Sequence, residues 1–407
     1  MTKELICKIV KIDKYNPTAG YAFDGEKVFK ISTMENLLKH EGSVVQLVGK
    51  HGKENETFEV DEIQPARDGK LEAKWEVHSQ IKLAPVKGTC VEAPSLKQLA
   101  KQFDDCAALF MRTVLDLKPI KIRHDKDADG ITSAIILKKA LVQFASEKNT
   151  PLFLKTKPSN GAVYSLADHH EDLGDVTDET VLAFLDHGAN GESENAVAAV
   201  QKTTDCTITM VDHHPPSKKL TCNVFVSPFA LAECHDPYNY NTGMLAFEIA
   251  MRISPTLKDE LFEYAAISMH ADKSAYKPAE GADGAKVFDY LEGVLLETAS
   301  LEYYEKIMRD KSKVRDIIEM EKIKMESALE KAFKKTKITQ LPKFCFIQCN
   351  MESAVVKNDY PPRGKLVNQL HVQIAAEQNR PTITVAWTPD SLSFRATHSA
   401  ADLGFSA

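Results

Sequence analysis

The stretch Ile122-Arg-His-Asp-Lys-Asp-Ala-Asp-Gly-Ile-Thr-Ser-Ala134 decides how this chain is read. Pro119–Arg123 leads in as a short apolar-basic strand. Gly130 breaks that pattern, and Ile131–Phe144 repeats apolar residues on one helical face. Asp125, Asp127 and Asp129 therefore alternate in a loop between the C-terminal end of a strand and a helix. In an open α/β sheet that loop is where ligands bind. Three carboxylates so close repel one another unless a cation neutralises them. Oxygen ligands suit a hard divalent ion, Mg or Mn. Taken alone, the stretch reads equally as an acidic turn with solvated side chains.

Moving outward, the pattern recurs. Val181–Leu185 is a purely apolar run that ends in Asp186-His187-Gly188, and Thr207–Val211 runs into Asp212-His213-His214. Pro151–Lys155 is a further strand. Buried parallel strands read as nearly continuous apolar runs, and helical patterns alternate with them here. Three strand ends bearing acidic or imidazole groups at one sheet edge point to a two-ion site. Helices are expected at Asn241–Ile253 and Asp259–Met269, the second running into His270-Ala271-Asp272.

The flanks are less informative. A chain of 407 residues suggests about two to four domains. Its 43% apolar and 27% charged residues are those of an ordinary globular protein. A net charge of -7 argues against a surface coated in positive charge but leaves room for a local basic groove. The eight cysteines, Cys90 among them, show no C-x-x-C, so reduced thiols in a cytoplasm are expected. Cys345 and Cys349 read as strand core rather than zinc ligands. No run of about 18 apolar residues occurs, and the start lacks the apolar core of a signal peptide, so no membrane partner is expected.

Residues 4–12, 21–23, 27–31, 43–48 and 57–63 read as five short strands, with a helix near 34–39. Residues 1–66 thus fit an OB-like barrel. Lys8, Lys11, Lys14, Tyr15 and Tyr21 could meet single-stranded nucleic acid there, although a purely structural barrel has the same pattern. Residues 67–98 read as a connector with little periodicity, and Ser95 as the cap of a helix from Leu96 to Leu117. Residues 286–338 are amphipathic and charged, a helical linker. A small α/β domain follows over 339–407, with a strand at 343–348, a helix at 365–376 and a strand pair, 382–387 and 391–396, turning at Pro389-Asp390.

Together these residues resemble the DHH phosphoesterase superfamily, and within it the archaeal type of RecJ-like nuclease. The signature is four motifs in order: Asp127-Ala128-Asp129-Gly130, Asp186, Asp212-His213-His214 and Asp272. The resemblance implies an α/β fold. A parallel-sheet DHH domain would span 99–285 and a smaller DHH-associated domain 339–407, apparently incomplete. It implies two Mn or Mg ions, the first on Asp127 and Asp186, the second on Asp129, Asp186, His213 and Asp272. Asp212 would be a partner for His213, and His214 would contact the phosphate or protonate the leaving oxygen. Ser393-Phe394-Arg395 resembles an S-x-R element whose Arg395 grips substrate phosphate.

Two departures stand out. Many members carry a metal-binding His where this chain has Arg123. Strand alternation would put Arg123, Asp125 and Asp127 on one side. Asp125 or His124 would then replace the imidazole, or the first ion would be weakly held, with Arg123 and His124 as candidate substrate contacts. The glycine-rich G-G-G-H type motif is absent and the sequence stops at Ala407, as expected of a shortened chain or of a natural variant lacking that element. The implied function is metal-dependent hydrolysis of single-stranded DNA or RNA by an exonuclease in the cytoplasm. Very short oligonucleotides or cyclic dinucleotides are alternative substrates. A scaffold for replication or repair proteins is the alternative without chemistry.

Overall fold

The computed structural model describes residues 2–52, 57–86, 89, 91–159, 161, 163–234, 236–295, 299–356, 359–389 and 391–405. Cys90 and Asp390 lie outside the described residues. Two compact units divide the chain, residues 1–279 and 280–407.

The first unit opens with β1 (Lys3–Ile12), β2 (Ala19–Phe23), β3 (Val28–Thr33), β4 (Val44–His51) and β5 (Thr57–Pro65). These close into a barrel in the order β1-β2-β3-β5-β4. Alternation drives closure: Cys7, Ile9, Ile31, Leu47 and Phe58 point inward and are buried together. Most of the expected nucleic-acid residues are otherwise engaged. Lys11 Nζ donates to Leu117 O at 3.0 Å and pairs with Glu179 at 3.3 Å. Tyr21 packs edge-on against Phe153 at 5.6 Å, and Lys8 Nζ donates to Gly42 O. Lys14 lies 5.9 Å from the centre of the Tyr15 ring, and Tyr15 stays 78% exposed. One face of the barrel is thus a docking surface within its own unit.

The expected connector contains a helix, α1 (Gly69–His78), capped by the Asp68 side chain on the backbone N–H groups of Lys70 and Leu71. Only Leu71 of this helix is buried, so it leaves no apolar periodicity to detect. Then come α2 (Ala100–Leu115), β6 (Ile120–His124), α3 (Ala128–Glu147), β7 (Leu154–Pro158), α4 (Leu166–Asp172), β8 (Val181–Leu185), α5 (Glu194–Thr203), β9 (Thr207–Val211), β10 (Val224–Val226), α6 (Thr242–Ile253) and α7 (Lys258–Ala271). The strands form one parallel sheet in the order β10-β9-β8-β6-β7. Strand β7 lies three residues later than expected because Ile120 pairs with Leu154. Leu182, Phe184, Ile208 and Met210 pack with Ala196, Val197 and Val200 of α5 on one face. On the other face Thr209 meets Cys106 of α2. The chain runs from β6 to β7 and then crosses back to β8, so β6 and β8 flank the topological switch point, where open α/β sheets bind ligands.

The second unit holds α8 (Ala282–Val294), α9 (Leu301–Arg309), α10 (Lys311–Lys334), β11 (Thr336–Gln340), β12 (Cys345–Asn350), α11 (Arg363–Gln378), β13 (Thr382–Thr388), β14 (Ser391–Ala396) and the short α12 (His398–Ala401). The charged stretch is three helices rather than one spacer, and Asp310 caps the longest. The sheet order is β11-β12-β13-β14. Strand β11, T-K-I-T-Q, is too polar and short to register in the sequence. Cys345 and Cys349 are fully buried in this unit's core, as expected of strand residues. Among the described residues no helix is long and apolar enough to cross a membrane.

Candidate metal centre

Pairing puts His124, Leu185 and Val211 level on three adjacent parallel strands. The ladder continues one step beyond: Asp125 N donates to Leu185 O at 3.2 Å, Asp186 N to Val211 O at 3.0 Å and Asp212 N to Val226 O at 3.1 Å. Asp125, Asp186 and Asp212 therefore stand in one row at the C-terminal edge. Asp186 makes its turn with φ +66°, a conformation that non-glycine residues adopt at some cost.

Asp127 caps α3, its carboxylate accepting from Gly130 N at 2.9 Å, and Asp129 falls in the first helical turn. Gly130 is required by close approach, since a Cβ there would lie 2.5 Å from Asp125 O. The loop thus turns sharply enough to bring Asp125 and Asp127 back beside Asp186.

Three groups of side chains lie close enough to share a cation: Asp125, Asp127 and Asp186; Asp129, His213 and Asp272; and Asp186, His213 and His214. His213 links them, its Nε2 3.3 Å from Asp186, 3.6 Å from Asp129 and 3.1 Å from Asp272. Asp272 arrives from the C-terminal cap of α7. The electrostatics are those of crowded anions. Burial, then Asp129 and Asp127, pushes Asp186 well above the carboxylate range. Burial and Asp129 raise Asp127, and the same two causes push Asp272 up to about 6. Burial opposes the charged form of His213, but hydrogen bonds to Asp186 and Asp272 hold its ring well above the usual imidazole value.

The donor set fits divalent ions: one group is all oxygen, the second adds one imidazole. Nδ1 of His213 is buried with no hydrogen-bond partner among the described residues. Asp212 does not orient His213 as expected. It binds His214 instead, accepting from Nδ1 at 2.8 Å and from the backbone N–H at 3.0 Å. That hydrogen bond raises the His214 value; burial pushes Asp212 up, but its hydrogen bonds to His214 and the charges of His214 and His213 together bring it below its ordinary value.

Two expected substrate contacts are elsewhere. Arg123 is fully buried and directed at α4. Its Nε donates to both Asp172 oxygens at 3.1 Å, its Nη1 to Pro158 O at 2.9 Å and its Nη2 to Asp172 at 2.7 Å and Asp168 O at 3.1 Å. No guanidinium edge is left for a phosphate. His124 is also buried, with Nδ1 at 2.7 Å from Asp125 O, and burial pushes its ring down to about 4. Asp125, by contrast, lies close enough to Asp127 and Asp186 to share a cation with them. In the second unit, Arg395 and Ser393 share one face of β14, and Arg395 Nη1 donates to Phe394 O at 2.7 Å. Among the described residues Arg395 makes no salt bridge.

Four residues in the site carried no role in the sequence reading: Asn241, Thr242, Gly243 and Ser268. Thr242 N donates to one Asp129 oxygen at 2.8 Å and Gly243 N to the other at 2.7 Å, while Ser268 Oγ also donates to Asp129. Thr242 Oγ1 donates to Asp186 at 3.0 Å. The N-terminus of α6 therefore grips Asp129 with backbone N–H groups, which favour its anionic form. A side chain at 243 would collide with Ser268 Oγ and Cβ, so glycine is what admits this approach. Ser268→Ala is expected to weaken Mn binding by about 10–100-fold, as loss of a ligand-orienting partner does. Calorimetric titration of the folded variant checks this, and unchanged affinity would separate the clamp from the ion.

Residues 119–269 match the DHH family, N-terminal domain. An uncharacterized protein of Methanocaldococcus jannaschii is 24% identical over 420 residues, which take in 88% of this chain and 55% of that protein. The chain thus spans about half the length of the curated relative it matches. A solved structure described as the DHH domain of a member of the s1p family of ribosomal proteins superposes with a TM-score of 0.67 at 23% identity, covering 83% of this chain and 86% of that one. RecJ from Thermus thermophilus in complex with Mn2+ gives a TM-score of 0.46 at 16% identity, over 74% of this chain and 47% of that one.

Proposed function

Since this chain carries a DHH-family domain over residues 119–269, we propose that it is a metal-dependent phosphodiesterase that hydrolyses single-stranded DNA or RNA from an end. The observation that carries the reading is the sharing of Asp186 and His213 between adjacent ligand groups at the switch point of the sheet. Asp125, Asp127 and Asp186 would hold one Mn or Mg ion, and Asp129, Asp186, His213 and Asp272 the other. Such ions supply Lewis acidity, making water nucleophilic near neutral pH and offsetting phosphate charge. The protein's own groups divide the remaining work. The clamp on α6 fixes Asp129 before any ligand arrives, so no ordering cost falls on binding. Asp212 fixes Nδ1 of His214, which leaves Nε2 to hydrogen-bond a phosphate oxygen or protonate the leaving oxygen. Arg395, planar and always charged, suits a substrate phosphate, with Ser393 beside it. The presence of Asp127, Asp129, Asp186, His213 and Asp272 together favours catalysis over a purely scaffolding role.

The test is digestion of oligonucleotides labelled at either end, with Mn present, by the wild type, Asp127→Ala and His213→Ala. Wild type is expected to shorten the strand progressively from one end, and both variants to lose that activity. Absence of metal-dependent cleavage of any strand by the wild type would remove the reading.

A further inference from the structure

The loop between β10 and α6 carries a pair of aromatic rings at the edge of the acidic row. Phe229 and Tyr238 meet edge to face, centroids 5.4 Å apart at 76°. Tyr238 is 68% exposed. Both ends of this loop are tied to the metal centre. Val226, at its start, accepts from Asp212 N at 3.1 Å, so Phe229 emerges three residues beyond the strand end. At its far end Asn241 lies 3.4 Å from Asp129, three residues after Tyr238. In between, Asn239 O accepts from Ser274 Oγ at 2.6 Å and Asn239 Oδ1 from Ala275 N at 3.2 Å, both in the segment that follows Asp272. Three residues of chain span at most roughly 10 Å, which bounds the backbone distance from Tyr238 to Asn241. Lys126, exposed between Asp125 and Asp127, makes no ion pair among the described residues.

A substrate consisting of phosphate alone needs cations but has no use for an exposed aromatic face. A nucleotide has a use for both, because every base offers a π-face to stack. We propose that Phe229 and Tyr238 form a stacking platform for a nucleobase next to the scissile phosphate, with Lys126 facing a backbone phosphate. The substrate class is then a base-bearing strand rather than inorganic pyrophosphate or a base-free ester. This rests on the phosphodiesterase reading, and its test is built to fail separately.

The full chain is mixed with two short phosphorothioate-linked strands of equal charge, one bearing 2-aminopurine and one abasic. Wild type is expected to bind the base-bearing strand about tenfold more tightly and to quench its fluorescence. In Tyr238→Ala that preference collapses towards unity, and in Tyr238→Phe, which keeps the ring, it persists. An unchanged preference in both Tyr238→Ala and Phe229→Ala overturns the platform. Binding and quenching are read without cleavage, so failure of the wild type to cut natural strands would count against the enzyme and leave the platform measurable.

Discussion

Asp186→Asn is expected to lower metal-dependent cleavage by on the order of 10³-fold, since ion catalysis supplies several kcal/mol of transition-state stabilisation. The same change is expected to raise the melting temperature of the metal-free protein. Burial first, then the charges of Asp129 and Asp127, push the proton affinity of Asp186 well up. Asparagine keeps the size and still accepts the Thr242 hydroxyl, but it adds no charge to the cluster. Each kcal/mol of repulsion relieved is worth about 2–4 °C in a domain of this size. Excess Mn should reverse the ranking, because ligand binding to the folded wild type adds about 2.7 kcal/mol at a hundred times Kd.

The pH dependence has the same origin. A carboxyl whose folded value lies above its unfolded one binds more protons when folded, so stability falls as pH rises between the two. For Asp272 that window runs from 3.8 to about 6. Asp127 and Asp186 shift in the same direction. His213, also raised, contributes stability that is present below 6.5 and lost as pH rises through its folded value. Without metal the protein is therefore expected to melt at progressively lower temperature from pH 4 upward. With Mn in excess it should melt higher as the ligands deprotonate. A melting temperature flat across this range in EDTA, together with an Asp186→Asn variant that melts lower in both conditions, would mean that these carboxylates do not share a site.

The acidic edge of the sheet was legible because buried parallel strands leave contiguous apolar runs. V-L-A-F-L and T-I-T-M-V have the same bounds in sequence and structure, and the charge that follows each is a sheet-edge group. The clamp on Asp129 was not legible. It works through backbone N–H groups some 113 residues away, and a backbone donor has no residue type. Only Gly243 hinted at a close approach. Strand alternation misplaced Arg123 for a different reason. Strand β6 ends at His124 and Asp127 already caps a helix, so a two-residue period cannot be carried from 123 to 127. Helix α1 and strand β11 escaped because neither buries a full apolar face.

Arg123→His introduces the imidazole that the resemblance to DHH phosphoesterases implies for this position, yet here it is expected to cost about 3–5 kcal/mol of stability and to add nothing to metal affinity. The guanidinium holds together a buried set of acids. Asp168 and Asp172 have almost no exposed side chain, and Glu171 closes the far side at 3.2 Å. Tyr164 donates to Asp172 at 2.9 Å and Lys121 pairs with it at 2.6 Å. An imidazole is too short to reach all of these, so Asp168 would lose the guanidinium at 3.3 Å while remaining buried. Removing the charges together should cost less than removing the cation alone, because no uncompensated ion is then left inside. Arg123→Met combined with Asp168→Asn and Asp172→Asn is therefore expected to recover part of the loss. Urea unfolding measures the first effect and Mn titration the second. If Arg123→His kept its stability and bound Mn more tightly, position 123 would belong to the metal edge, and the assignment of Asp125 in its place would fall.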